Sequence, residues 1–185
     1  MKRRGRVNID IADYLYNNSN GIIKDINNNK NYLSNNLNCE DINHIIIGRW
    51  YYGLFLIAKD YLVNNINYIT KCKNINNCLW NRKNDCRARC LVHKNPHKNI
   101  NAPIKKSGNK YSKYVFWIWK ETANEIKTLS NKTKIRNAFL TNSRELINLR
   151  EKYEYYGYNC NSNILNNAKN YFNKIKAVYK NEKII

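Results

Sequence analysis

Residues 41–63 of this chain carry the side-chain spacing of a buried helix. Apolar residues recur three and four positions apart along the stretch, which places them on one face of an α-helix. These residues are Ile47, Tyr51, Leu54, Ala58, Tyr61 and Leu62. Asp41 is a residue type that commonly caps a helix, so we predict a helix from Asp41 to about Val63. A helix with so broad an apolar face has to be covered by neighbouring elements.

Those neighbours are predicted to be helices, because segments with strand-like alternation are absent from the sequence. Before the central stretch, residues 9–16 predict one short helix and residues 22–33 a second, although many Asn residues weaken the second. After it, residues 111–129 predict another helix with Val115, Ile118, Thr122, Ile126 and Leu129 spaced for burial. Residues 132–140 add a turn or two. The expected fold class is therefore all-α.

Residues 142–185 predict two more helices, each with its own end signals. Asn142 followed by Glu145 is typical of a helix N-terminus, and the helix it begins turns Leu146, Leu149 and Tyr153 inward. Gly157 is expected to close that helix. Asn161 or Ser162 caps the final helix. Its apolar face is formed by Ile164, Ala168, Tyr171, Phe172, Ile175 and Val178.

Two of these segments resemble a known family of helical domains. Residues 48–62, which read Gly-Arg-Trp-Tyr-Tyr-Gly-Leu-Phe-Leu-Ile-Ala-Lys-Asp-Tyr-Leu, begin with an Arg, an aromatic cluster and a small residue. Residues 146–155 contain a leucine pair, an Arg and an acidic-Tyr pair. Both segments resemble helices of HEPN domains, and the resemblance covers residues 41–66 and 111–180. HEPN domains are small up-and-down helical bundles of prokaryotic toxin and defence systems, and many are ribonucleases.

Active members of that family carry an Arg, four to six residues and then a His. One segment of this chain fits that motif, since five residues separate Arg87 from His93. The resemblance implies a homodimer in which both Arg/His pairs face one cleft and cleave RNA without a metal. The residue after Arg87 is Ala88, where the family has a polar residue. His44 and His97 lack an Arg at the required distance upstream.

The net charge of +20 favours a polyanionic partner. Asn makes up about a fifth of the 185 residues, and drift toward AT-rich codons accounts for the Asn and for part of the Lys. It does not account for the shortage of acidic residues. RNA or DNA is the expected partner, with an acidic protein as the alternative. A membrane surface fits less well, because the basic residues do not form one face of an amphipathic helix.

Residues 67–110 interrupt the helical pattern with Pro, Gly, Cys and many basic residues. We interpret them as a basic, Cys-rich insertion within a single domain that spans residues 1–185. The basic residues expected to contact nucleic acid are Arg82, Lys83, Arg89, Lys94, Lys98, Lys105 and Lys106. No apolar segment approaches the length of a membrane span and no apolar region follows the basic N-terminus, so we expect a cytoplasmic protein without a signal peptide.

Four cysteines of the insertion suggest a second role for the same segment, which is metal binding. Cys72, Cys78, Cys86 and Cys90 are followed by His93 and His97, residue types that hold structural zinc. No tight Cys-x-x-Cys pair is present, so disulfides and unrelated free cysteines stay open as alternatives. A zinc ion bound by His93 would prevent that residue from acting as a free base. Catalysis itself is expected to need no cofactor.

The remaining aromatic and basic residues divide into core and surface groups. Trp50, Tyr51, Tyr52, Trp117 and Trp119 are expected in the core. Tyr155, Tyr156 and Tyr158 are the better candidates for stacking on unpaired bases. Arg49 and Arg150 are expected at the edges of buried helices, with the head group in water or paired with an acid such as Glu154.

The sequence therefore leaves two functions from different classes. The first is a metal-independent endoribonuclease of a toxin or antiviral defence system, with Arg87 and His93 as its catalytic pair. The second is a non-catalytic binding subunit that holds RNA or an acidic protein within a larger defence complex, or with an antitoxin partner. The same cysteines allow a third interpretation, in which the chain is a structural protein stabilised by a zinc ion.

Overall fold

The computed structural model shows an all-α protein and describes residues 2–29, 36–64, 118–120 and 122–185. Within these ranges every regular element is a helix, which confirms the predicted fold class. The elements are α1 (Lys2–Asn28), α2 (Cys39–Asn64), α3 (Lys127–Ser130), α4 (Thr133–Arg150), a π-helical turn (Glu151–Tyr155) and α5 (Ser162–Asn181). Residues 118–120 and 122–125 are also helical.

The four long helices run alternately up and down. α1 lies antiparallel to α2, since Gly5 meets Ile57 near one end and Asn27 bonds Leu37 near the other. α5 runs parallel to α2, because Asn43 bonds Cys160 at the start of both helices and Trp50 stacks on Phe172 further along. α4 runs antiparallel to both α2 and α5. Consequently α1 and α4 begin at the end of the bundle where α2 and α5 finish.

α1 is one continuous helix, whereas the sequence predicted two short ones. Its buried residues, Gly5, Ile9 and Ala12, follow helical spacing and pack against α2. Two of its asparagines donate their amide protons to carbonyls one turn earlier, at Arg4 and Tyr14. Packing against α2 therefore overrides the weak helix propensity of the Asn-rich stretch.

The backbones of α1 and α2 come into close contact at Gly5 and Gly53. A Cβ atom added at Gly53 would lie 2.8 Å from the carbonyl oxygen of Gly5 and 2.6 Å from Cγ1 of Ile9. At Gly5 it would lie 2.7 Å from the carbonyl oxygen of Gly53. Only residues without a side chain allow the two backbones to come this close.

The predicted helix start at Asn142 is wrong. Asn142 lies inside α4, which is continuous from Thr133 to Arg150. The buried side chains of Phe139, Leu146 and Arg150 keep helical spacing across this position, so the chain does not break there. The Ser143 hydroxyl, also buried, donates to the Phe139 carbonyl one turn earlier within the same helix.

Three other helix ends depend on specific local residues. α2 begins at Cys39, where Asn38 and Asp41 each accept a hydrogen bond from the other's backbone N–H, at 3.1 and 2.8 Å. Asp41 thus closes a capping box instead of being the cap itself. Asn161 caps α5 by accepting from Ile164 N–H at 3.1 Å, and Gly157 has a φ of +66°, as predicted for both.

A layer of five side chains crosses the middle of the bundle and ties its four long helices together. Trp50 Nε1 donates to Asp13 at 2.8 Å, and the Trp50 ring stacks 5.1 Å from Phe172. The Arg150 guanidinium lies 4.6 Å from the centre of the Tyr51 ring. We call Asp13, Trp50, Tyr51, Arg150 and Phe172 the central layer. It divides the molecule into two halves that differ in charge.

The aromatic core largely follows the prediction. Trp50, Tyr51 and Trp119 are fully buried, and Trp119 stacks on Tyr179. Tyr52 is the exception, since it is 43% exposed on the outer face of α2. Trp117 lies outside the described residues. No helix in the described ranges has both the length and the apolar character needed to cross a lipid bilayer.

Candidate nucleic-acid interface

The predicted catalytic pair and the predicted insertion lie outside the described residues. This holds for Arg87 and His93, for the four cysteines of the insertion, and for the seven basic residues expected to contact nucleic acid. The described flanks still locate the point of attachment. α2 ends at Asn64, and the chain returns at Ile118, which is buried beside Trp119. Both attachment points belong to the half of the bundle in which α1 and α4 begin.

α1 begins with a dense cluster of basic side chains. Lys2, Arg3, Arg4 and Arg6 all lie in its first two turns, and its first turn contains no acidic residue. Arg3, Arg4 and Arg6 are exposed. Positive side chains at a helix N-terminus oppose the helix macrodipole. The cluster therefore does not stabilise α1, and it leaves a strong positive potential at this end of the molecule.

Arg49 is exposed on α2, as predicted, and its head group contacts α1. Its Nη1 donates to Asn8 Oδ1 at 3.0 Å, while the amide of Asn8 donates to the Arg4 carbonyl at 2.8 Å. Asn8 thereby holds the Arg49 guanidinium against the basic first turns of α1. A planar guanidinium fixed at the surface is well suited to bind a phosphate.

Arg150 has a different environment, because its side chain is only 7% exposed. Its Nε atom donates to Glu154 Oε2 at 2.6 Å, which confirms the predicted pairing. The guanidinium also lies 4.6 Å from the Tyr51 ring centre and 5.2 Å from that of Tyr52. A cation enclosed by two aromatic faces and a carboxylate joins α2 to the π-helical turn, and this role is structural.

Two exposed tyrosines follow the π-helical turn. Tyr156 is 73% exposed and Tyr158 is 58% exposed, so both rings are accessible to solvent. Gly157 lies between them in a left-handed conformation. The Lys152 ammonium lies 5.2 Å from the Tyr158 ring centre. The side chain of Tyr155 is not among those described. Glu151 and Glu154 make this corner nearly neutral, so it attracts a polyanion less than the start of α1 does.

The cysteines of the described part of the chain do not form a metal site. Cys39 is exposed and Cys160 is buried, and neither joins a group of metal-binding residues within the described ranges. Burial, assisted by the negative charge of Glu40, raises the pKa of the Cys160 thiol to about 11. A thiol with such a pKa is protonated and unreactive at neutral pH.

Comparison of the chain with models of known families, with curated proteins and with solved structures finds no match. The resemblance to HEPN domains consequently stays a prediction from two helical segments.

Sequence reasoning missed the basic surface at the start of α1. The signal was present, since four of the five residues from Lys2 to Arg6 are basic. A basic run at this position is also typical of the first part of a targeting segment, so by its sequence alone it does not indicate a binding surface. The contact between Arg49 and Asn8 was not predictable in the same way, because the two residues are 41 positions apart and meet only through the antiparallel packing of α1 on α2.

Proposed function

We propose that this protein binds RNA and cleaves it without a metal ion, through Arg87 and His93. The observation that carries the proposal is the charge of the segment between α2 and Ile118. Residues 65–117 contain twelve Lys or Arg and a single acidic residue, Asp85. More than half of the net charge of +20 therefore belongs to the segment that holds the Arg/His motif. Such a segment attracts a polyanion to the proposed catalytic residues.

The chemistry needs one residue that moves protons and one that holds the phosphate. Histidine suits the first role because imidazole titrates near neutral pH. As a base it takes the proton from a ribose 2′-hydroxyl, and the 2′-oxygen then attacks phosphorus. The bond between phosphorus and the 5′-oxygen breaks, and an acid returns a proton to that oxygen. The products are a 2′,3′-cyclic phosphate and a 5′-hydroxyl, and DNA is not a substrate.

In this proposal Arg87 binds the scissile phosphate and stabilises the charge that develops on it. A second copy of the chain supplies the second Arg/His pair, so that one His serves as base and the other as acid. The homodimer and the toxin or defence setting both follow from the resemblance to HEPN domains. A zinc ion held by Cys72, Cys78, Cys86 and Cys90 is compatible with the mechanism as long as His93 is not a ligand.

The alternative proposal is a non-catalytic binding subunit of a larger defence complex, and Ala88 favours it. A small apolar side chain stands directly after Arg87, where the active family members have a polar one. Such a subunit would retain the positive charge and bind RNA, but it would leave the RNA intact.

The test is incubation of the wild-type protein with labelled total RNA in EDTA, followed by analysis of the product ends. We expect 2′,3′-cyclic phosphate ends in the wild type, none with His93→Ala, and unchanged cleavage with His97→Ala as the matched control. Intact RNA with the wild-type protein overturns the cleavage proposal. If that RNA is nevertheless bound, and binding weakens steeply between about 50 and 200 mM salt, the binding subunit is supported instead.

A further inference from the structure

The two halves of the bundle differ sharply in charge. The first half lies on the side of the central layer where α1 begins, and comprises residues 2–12, 52–64, 118–120, 122–149 and 173–185. It contains fifteen Lys or Arg and five acidic residues. The acidic residues are Asp10, Asp60, Glu125, Glu145 and Glu182. The second half, residues 14–29, 36–49 and 151–171, contains four basic and five acidic residues. One of the four, Arg49, has its head group against Asn8 of the first half. We call the first half the basic half.

The difference in charge between the two halves arises from the fold, because the basic residues of the basic half are not contiguous in the sequence. Twelve of these basic residues come from the start of α1, the end of α2, the start of α4 and the end of α5; the other three are Lys120, Lys127 and Arg144. The packing brings these four helix ends together: Gly5 of α1 lies against Ile57 of α2, and Phe139 of α4 contacts Tyr179 of α5. Trp119 contacts both Tyr51 of α2 and Tyr179. Residues distant along the chain thus share one positive surface.

The acidic residues of this half are too few to neutralise its basic side chains. Lys176 pairs with Asp13 of the central layer at 3.2 Å, and Arg136 bonds the neutral side chain of Asn124. The fifteen basic residues outnumber the acids of the same half three to one, so pairing within this half leaves a large positive excess. A positive excess of this size attracts polyanions.

We propose that the basic half of the bundle is an RNA-binding surface that contacts the phosphate backbone through the starts of α1 and α4 and the end of α5. The inference rests on the proposed function and adds a specific surface to it. The two residues that flank the basic segment 65–117 are Asn64 and Ile118, and both belong to the basic half. An RNA strand bound there therefore lies at the attachment points of the segment that carries Arg87 and His93.

The distribution of charge favours RNA over the other polyanionic partners. A membrane surface requires an apolar face beside the charges, but the exposed apolar residues of the basic half are spread over three helices, at Val7, Ile11, Tyr52 and Ile135. An acidic protein requires an apolar centre for its interface, and these scattered side chains do not provide one. A flexible chain of phosphates matches positive residues distributed over several helix ends.

The test compares two triple variants with a matched control that removes the same charge from the other half. Arg3→Gln, Arg4→Gln and Arg6→Gln form the first variant, and Lys132→Gln, Lys134→Gln and Lys180→Gln form the second. All six side chains are exposed. Lys24→Gln, Lys152→Gln and Lys169→Gln form the control. The probe is a labelled single-stranded 2′-O-methyl RNA oligonucleotide, which lacks the free hydroxyl that cleavage requires.

We expect each basic-half variant to bind the probe about tenfold more weakly, with a smaller slope of log affinity against log salt, while the control binds nearly as the wild type does. Equal weakening in all three variants would overturn the inference and leave only a general charge effect. Wild-type binding to phosphatidylserine vesicles or polyglutamate but not to the RNA would also overturn it. If the wild type and all three variants bind the RNA equally well, the proposed binding surface is wrong but the proposed function stands. If the wild type does not bind the RNA, both the surface and the proposed function are wrong.

Discussion

The Nε atom of Arg150 donates to Oε2 of Glu154 across 2.6 Å, at the point where α4 gives way to the π-helical turn. The two partners differ in solvent contact, because the Arg150 side chain is 7% exposed and that of Glu154 is 34% exposed. The carboxylate is thus partly hydrated while the guanidinium depends on protein contacts. Loss of the acid should therefore cost more than loss of the base.

The stability of two variants tests this relationship. Glu154→Gln leaves a mostly buried guanidinium without its carboxylate and should lower the free energy of unfolding by about 2 kcal/mol. Arg150→Met keeps most of the packing and releases a carboxylate that water can reach, so it should cost about 1 kcal/mol or less. Lys152→Gln on the same turn is the control and should change little. Urea unfolding measures all three, and a larger loss for Arg150→Met than for Glu154→Gln would contradict the argument.

Two glycine substitutions are expected to change stability in opposite directions. Gly53→Ala places a Cβ atom 2.8 Å from the Gly5 carbonyl oxygen, so α1 and α2 must separate, at a cost of about 2–3 kcal/mol. Gly21→Ala lies in the same pair of helices but has no atom within 4 Å of the added Cβ, and it should stabilise the helix by about 0.5–1 kcal/mol. Thermal unfolding of both variants provides the comparison. A neutral Gly53→Ala variant would show that the helices do not need this close approach.

Local signals predicted much of the fold. The apolar spacing of α2, the cap at Asn161 and the left-handed residue at Gly157 each depend on residues within a few positions, so the sequence contains the whole signal. The pairing of Arg150 with Glu154 was predictable for the same reason, since the two residues are one helical turn apart.

Features that depend on packing could not be predicted in this way. α1 is continuous because it lies on α2 through Gly5 and Gly53, and nothing local in its Asn-rich sequence specifies that contact. Asn142 and Glu145 have the spacing of a helix N-terminus, but buried residues on both sides of Asn142 make α4 continuous. The charge difference across the central layer becomes visible only when four helix ends are brought together. The predicted Arg87 and His93 remain untested, because they lie outside the described residues.

Alkaline conditions should destabilise the fold through its buried acids. Burial raises the pKa of Cys160 from 9.0 to about 11 and that of Tyr179 well above its usual 10.0. The folded state then holds protons that the unfolded state releases, so stability is fully present below about pH 9 and falls as pH rises toward 11. The free energy of unfolding measured between pH 8 and pH 11 should decline, and Cys160→Ala should reduce the decline. A flat profile in the wild type would contradict burial of both groups.

The two cysteines of the described helices should also differ in reactivity. Cys39 is exposed at the start of α2, whereas Cys160 is buried and has a raised pKa. Brief alkylation at pH 8, followed by peptide mass spectrometry, should modify Cys39 and spare Cys160 until the protein is unfolded in urea. Rapid modification of Cys160 in the native protein would show that the loop before α5 opens readily.

The hydroxyl of Tyr179 and the indole N–H of Trp119 are buried without a hydrogen-bond partner among the described residues, and the two rings stack on each other. On folding, a buried hydroxyl without a partner loses its hydrogen bonds to water and forms none with the protein. Tyr179→Phe should therefore leave the free energy of unfolding unchanged or raise it by about 1 kcal/mol. Tyr179→Leu, which removes the ring from its stack with Trp119 and Phe139, should cost about 2–4 kcal/mol. Denaturant unfolding separates these outcomes. A clear loss of stability in Tyr179→Phe would contradict the absence of a hydrogen-bond partner for the hydroxyl.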